Sequence, residues 1–105
     1  MLAFELFFGR SIPGQAEVTD SAWDDFLSRM VTPNIPNGYT VSDAAGAWLN
    51  PATRRTVNER TKILLAVLPD APPSAAAIAR IREAYQAQFR QMQVGMTTMP
   101  VCGAF

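Results

Sequence analysis

The apolar side chains of this chain change their spacing along its length, and the order of those changes is what most constrains the fold. Residues 2–9 (LAFELFFG) alternate as a strand, with Phe4, Leu6 and Phe8 on one face and Ala3, Glu5 and Phe7 on the other. After a loop containing Pro13 and Gly14, Thr19 can open a helix as N-cap, with Asp20, Asp24 and Asp25 near its positive end. Val18 stands where it can staple onto Trp23. Trp23, Phe26, Leu27 and Met30 then fall at i, i+3, i+4 and i+7 as one apolar stripe, and Thr32-Pro33 is expected to stop the helix.

Residues 39–49 predict a second strand in which Gly46 permits a bulge, followed by a hairpin-type connection over 50–55. A third strand runs over 56–68; its first half is polar and is expected to extend beyond the core. Ser74 is the expected N-cap of a second helix, with Ile78, Ile81, Tyr85, Phe89 and Met92 at helical spacing and Arg80, Arg82, Glu83 and Arg90 in solvent. Gly95 closes that unit, and residues 96–105 read as a last strand whose Pro100 points to an edge or a bulge. Strand, helix, strand, strand, helix, strand is the βαββαβ order of a ferredoxin-like α+β domain. All 105 residues are expected to form one such domain, with four antiparallel strands and both helices on one face.

Two helices cover only one face of a sheet, and a face left to water normally carries polar residues. Here large apolar residues populate both faces, in keeping with 49% hydrophobic and only 17% charged residues. A homodimer or higher homo-oligomer that buries the second face is therefore expected, with a small-molecule pocket between sheet and partner. The zero net charge conceals an asymmetry. Two arginines against six acids leave residues 1–50 at −4, and seven bases against three acids leave 51–105 at +4. Internal compensation explains this most simply; steering of self-association or of a charged ligand is the alternative.

Composition also excludes whole classes of chemistry. Without histidine there is no Ser-His-Asp or Cys-His mechanism and no imidazole metal site, and Cys102 alone makes neither an internal disulfide nor a thiolate cluster. Cys102 is expected to be a small buried thiol. FFGRS and PNGY hold lone glycines without phosphate-loop spacing, so no nucleotide or other cofactor is expected. A nucleic-acid partner is not expected either: there is no basic excess, and NERTKILLAVL lacks the alternating aromatics of an RNA-binding strand. No stretch of 18 or more apolar residues occurs, so no transmembrane helix is expected, and MLAFELFF, interrupted by Glu5, is not expected to be a secretory signal.

Ionisable residues on strands are the candidates for function. Glu5, among Phe4, Leu6, Phe7 and Phe8, and Glu59 are the candidate catalytic bases, since a carboxylate in a dry site has a raised pKa. For Glu5 the simpler expectation is an ion pair with Arg60 or Lys62 on a neighbouring strand. Asp43 and Trp48 bracket Gly46 in SDAAGAW, where the indole could wall a ligand pocket. Arg10, Arg60 and Lys62 are candidate ligand-binding cations, and Arg54 and Arg55 are placed in a solvated turn.

The motifs ELFFGRS, W-x-x-F in SAWDDF, TPNIPNGYTVSD, GAW and ERTKILLAVLPD resemble a bacterial family known only as a domain of unknown function. The resemblance spans nearly the whole chain and draws attention to Arg10, Trp48, Glu59, Arg60 and Lys62, which fall inside its motifs. It implies a small α+β domain, often exported or lipid-anchored behind an N-terminal signal, and supplies no catalytic residues. Two functions follow as expectations. One is a self-associating domain that binds a small ligand or partner through its open sheet face. The other is a cofactor-independent, dimeric α+β-barrel enzyme moving a proton on a small apolar or aromatic substrate, with Glu5 or Glu59 as base and Arg60 or Lys62 at an oxyanion.

Overall fold

The computed structural model describes residues 1–104. Its elements are β1 (Leu2–Gly9), α1 (Asp20–Phe26), a π-turn (Leu27–Val31), α2 (Thr32–Asn34), β2 (Thr40–Leu49), β3 (Thr56–Leu68), α3 (Pro72–Phe89) and β4 (Gly95–Pro100). The four strands lie in the order β2-β3-β1-β4 and every neighbouring pair is antiparallel, the ferredoxin-like arrangement. Pro100 ends the edge strand β4, where its missing N–H costs no ladder bond. Phe105, the expected end of that strand, lies outside the described residues. Among the described residues no helix is long and apolar enough to cross a membrane.

The helix boundaries follow local chemistry, partly against expectation. Thr19 is the N-cap of α1, its hydroxyl accepting the Ala22 N–H at 3.0 Å. Thr32-Pro33 does not stop the first helix. The Thr32 N–H reaches five residues back to the Leu27 carbonyl, and Pro33 then sits in the first turn of α2, where no donor is required of it. Ser74 is not the cap of α3: Ala71 holds that place, and Pro72-Pro73 begin the helix with φ already set. The helix ends at Phe89 because Arg90 turns left-handed (φ 54°), so Met92 leaves the apolar stripe and is 97% exposed. Arg82 also departs from the solvated reading, its guanidinium donating to the Val94 carbonyl at 2.7 and 3.0 Å.

Period-two alternation sorts β1 and β3 cleanly. Phe4, Leu6 and Phe8 with Leu64, Ala66 and Leu68 face the helices and are buried. There Phe8, Trp23, Phe26, Tyr85 and Phe89 form one aromatic cluster, with Phe8–Tyr85 centroids 4.8 Å apart and Phe8–Trp23 centroids 5.1 Å apart, both edge-on. Such pairs add about 1 kcal/mol each to the burial of the rings themselves. The Tyr85 hydroxyl is satisfied by donating to the Gly9 carbonyl at 2.7 Å, and burial pushes its phenol well above the ordinary value of 10.0.

The opposite face carries Glu5 and Phe7 of β1, Thr61, Ile63, Leu65 and Val67 of β3, and Met99 of β4. Neither helix covers it, and Leu65 is 42% exposed. Gly46 makes no bulge, since β2 and β3 pair without a slip from Thr40↔Leu65 to Leu49↔Thr56. Cys102 lies beyond β4 and is exposed, because the chain has left the sheet before reaching it.

Candidate functional site

β3 outruns β1. Gly9, the last residue of β1, pairs with Thr61 and the Arg10 N–H still reaches the Arg60 carbonyl at 3.1 Å, so residues 56–59 of β3 continue with β2 alone, as the polar first half of the strand led one to expect. A concave space opens where this projecting hairpin stands beside the ends of its neighbours. It is a cleft of about 610 Å³, lined by Phe7, Gly9, Trp48, Val57, Glu59 and Thr61 from the sheet, Ser11 to Pro13 from the loop after β1, and Arg90 to Gln93 from the α3–β4 connection. A smaller space of about 360 Å³ adjoins it, bounded by Ala44 to Trp48, Phe7, Glu59, Thr61 and Ile63. The small residues Ala44 and Gly46 leave the room between Trp48 and Thr61, and a Cβ on Gly46 would stand 3.2 Å from the Thr61 hydroxyl.

Glu59 is common to both spaces. It is half-buried on the open face, with its carboxylate directly over Gly9, where an added Cβ would approach Oε1 to 2.7 Å. A larger residue there would push the Glu59 carboxylate away from β1. The Ser11 N–H donates to Glu59 Oε2 at a long 3.3 Å. Among the described residues no basic group pairs with Glu59. Trp48, 52% exposed, stands on the same face two residues from the position opposite Glu59.

The remaining candidates sort by face. Arg10 is almost fully buried on the helix side, donating to the Val18 carbonyl at 2.7 and 3.0 Å and pairing with Asp20 at 2.8 Å. It ties the start of α1 to the end of β1, and its Nη1 is sealed from solvent without a hydrogen-bond partner. Arg60 pairs with Glu17 at 2.6 Å and Lys62 with Asp43, also on the helix side. The Lys62 ammonium holds the Asp43 carboxyl below the usual carboxylate range, chiefly through its hydrogen bond.

The ion pair expected for Glu5 is not formed. Glu5 faces the other way, opposite Leu65 and Thr97, and accepts a hydrogen bond from the Thr97 hydroxyl at 3.3 Å. Nor do the two candidate bases meet: Leu65, opposite Glu5, is six residues along β3 from Glu59, roughly 20 Å at strand rise. The structure therefore brings together Glu59 and Trp48, and separates both from Glu5, Arg10, Asp43, Arg60 and Lys62. Among the described residues no cluster of acidic or cysteine side chains could hold a metal ion.

Gly9, Ser11, Arg90 and Met92 are site residues that sequence reasoning did not single out. A glycine at a strand end is a sign of close approach by another group, and FFGR carried that sign. Arg90 and Met92 carried none, since the helical spacing runs on through Met92 and only the left-handed turn at Arg90 brings them to the cleft.

A family model described as "Protein of unknown function (DUF3574)" matches residues 3–105, and the chain belongs to that family. No curated protein sequence matches it. Among solved structures it is similar to a phage SAM lyase in complex with S-methyl-5'-thioadenosine, with a TM-score of 0.71 and 11% identity, over 93% of this chain and 79% of that one. At that identity the likeness is one of fold.

Proposed function

We propose that this member of the DUF3574 family binds a small molecule in the cleft at Glu59, and that a second copy of the chain closes over the open sheet face beside it. The observation that carries the reading is a half-buried carboxylate, free of any basic partner among the described residues, in a largely apolar cleft of about 610 Å³. The strand charges on the helix side are paired, whereas Glu59 stands unpaired in a concavity, which is a common mark of a site. Self-association is supported by the row Phe7, Ile63, Leu65, Val67 and Met99, which a lone domain leaves uncovered.

The fold relative is bound to a thionucleoside, which makes S-methyl-5'-thioadenosine and S-adenosylmethionine the first compounds to try. In a thermal-shift screen of these two and a metabolite mixture, a binder raises the Tm of the wild-type protein, and Trp48→Ala abolishes the rise. A screen in which no compound shifts the Tm overturns the ligand reading. Light scattering coupled to size exclusion tests the assembly, and a clean 11.5 kDa species sinks it. Proton-transfer catalysis is the second reading, supported by the same carboxylate, with Glu59 as base. It requires turnover of a bound compound and loss of that turnover in Glu59→Gln. Arg60 and Lys62 take no part in it, since both are committed to ion pairs on the other side of the sheet.

A further inference from the structure

We infer that the cleft selects a cationic ligand with a flat apolar body, held by Glu59 as its counter-ion against the aromatic walls of Phe7 and Trp48; this rests on the small-ligand reading. Three features converge on that chemistry. The Glu59 carboxylate has one protein donor, the Ser11 N–H at 3.3 Å, and water must supply the rest of its hydrogen bonds. A neutral apolar ligand would displace that water and leave a charge unsatisfied. An anion placed beside Glu59 would be repelled by the carboxylate. A cation satisfies the carboxylate, and two of the lining side chains are aromatic, with ring faces that attract positive charge. Gly9 leaves the carboxylate room against β1, since a Cβ there would stand 2.7 Å from Oε1. Arg90, the other charge of the lining, is exposed at the end of α3 and makes no ion pair with Glu59, which leaves the carboxylate to the ligand.

The two tryptophans make the test direct. Trp48 lines the cleft and Trp23 is buried in the core, so their indole N–H resonances report the site and an internal control; Trp48→Phe assigns them. Benzyltrimethylammonium is expected to move the Trp48 resonance saturably and leave Trp23 in place. Benzyl alcohol should bind at least about tenfold more weakly, and benzoate not at all. Glu59→Gln, which keeps the shape and removes the charge, should erase the preference for the cation while its spectrum remains that of the folded protein. Equal binding of benzyl alcohol and the ammonium, or an unchanged preference in Glu59→Gln, overturns the inference and leaves the cleft as a ligand site. Silence of Trp48 towards all three probes also overturns it, and the thermal-shift screen then decides the ligand reading separately.

Discussion

The two faces of the sheet are made by the same strands and obey opposite rules. On the helix side every charged group of β1, β2 and β3 and the residue that follows β1 has a partner: Arg10 with Asp20, Arg60 with Glu17, Lys62 with Asp43. On the open side Glu5 and Glu59 have only a hydroxyl and a backbone N–H, each at 3.3 Å. The helix side is close-packed around interlocking rings, whereas the open side leaves apolar groups in contact with water. Stability is concentrated on one face, and the unspent interactions lie on the other.

Substitutions in adjacent residues can break this contrast. The largest effect is expected from Phe8→Ala set against Phe7→Ala. Phe8 is fully buried among Trp23, Phe26 and Tyr85, so its loss should cost about 4 kcal/mol by denaturant titration. Phe7, half-covered on the open face, should cost about 1 kcal/mol. Comparable losses would mean that the open face is as much a core as the other.

Next in size is Arg10→Ala against Arg60→Ala. The first removes a buried side chain and leaves the Val18 carbonyl without its donors, at about 2 kcal/mol. The second breaks an exposed pair and should change stability by about 0.5 kcal/mol or less. If the two proved equal, Arg10 would not be the tie that the geometry makes it.

The smallest effect belongs to Tyr85→Phe, about 1 kcal/mol at neutral pH from the lost bond to Gly9. Its sharper signature is in alkali. The Tyr85 phenol is raised by folding, so its contribution is complete below the ordinary value of 10.0 and is lost as pH climbs above it, where the unfolded chain ionises first. Wild type should therefore lose stability above pH 10 more steeply than Tyr85→Phe. Parallel curves would show that burial of Tyr85 does not govern the alkaline limit.

Much of this architecture was legible in the residues. Alternation in LAFELFFG and the stripe Trp23, Phe26 placed the core, because a side chain's face follows from strand or helix period alone. Less legible were element ends. Pro33 and Met92 depart from the helical spacing because a π-turn and a left-handed Arg90 depend on backbone hydrogen bonds that side-chain spacing does not encode. The partner of Glu5 differs from the expected one for another reason. Lys62 and Glu5 are on adjacent strands, but register puts Lys62 opposite Phe8 and turns it to the helix side.

The sequence by itself determined that the chain has no histidine and no second cysteine for an internal disulfide, that the order is βαββαβ, and that more apolar surface exists than two helices can cover. Those follow from residue identity and local period. Only the tertiary structure decided which charges are spent and which are free. Pairing across a sheet depends on register, and the cleft exists because β3 runs past the end of β1 and lays Glu59 over a glycine from a strand fifty residues earlier in the chain.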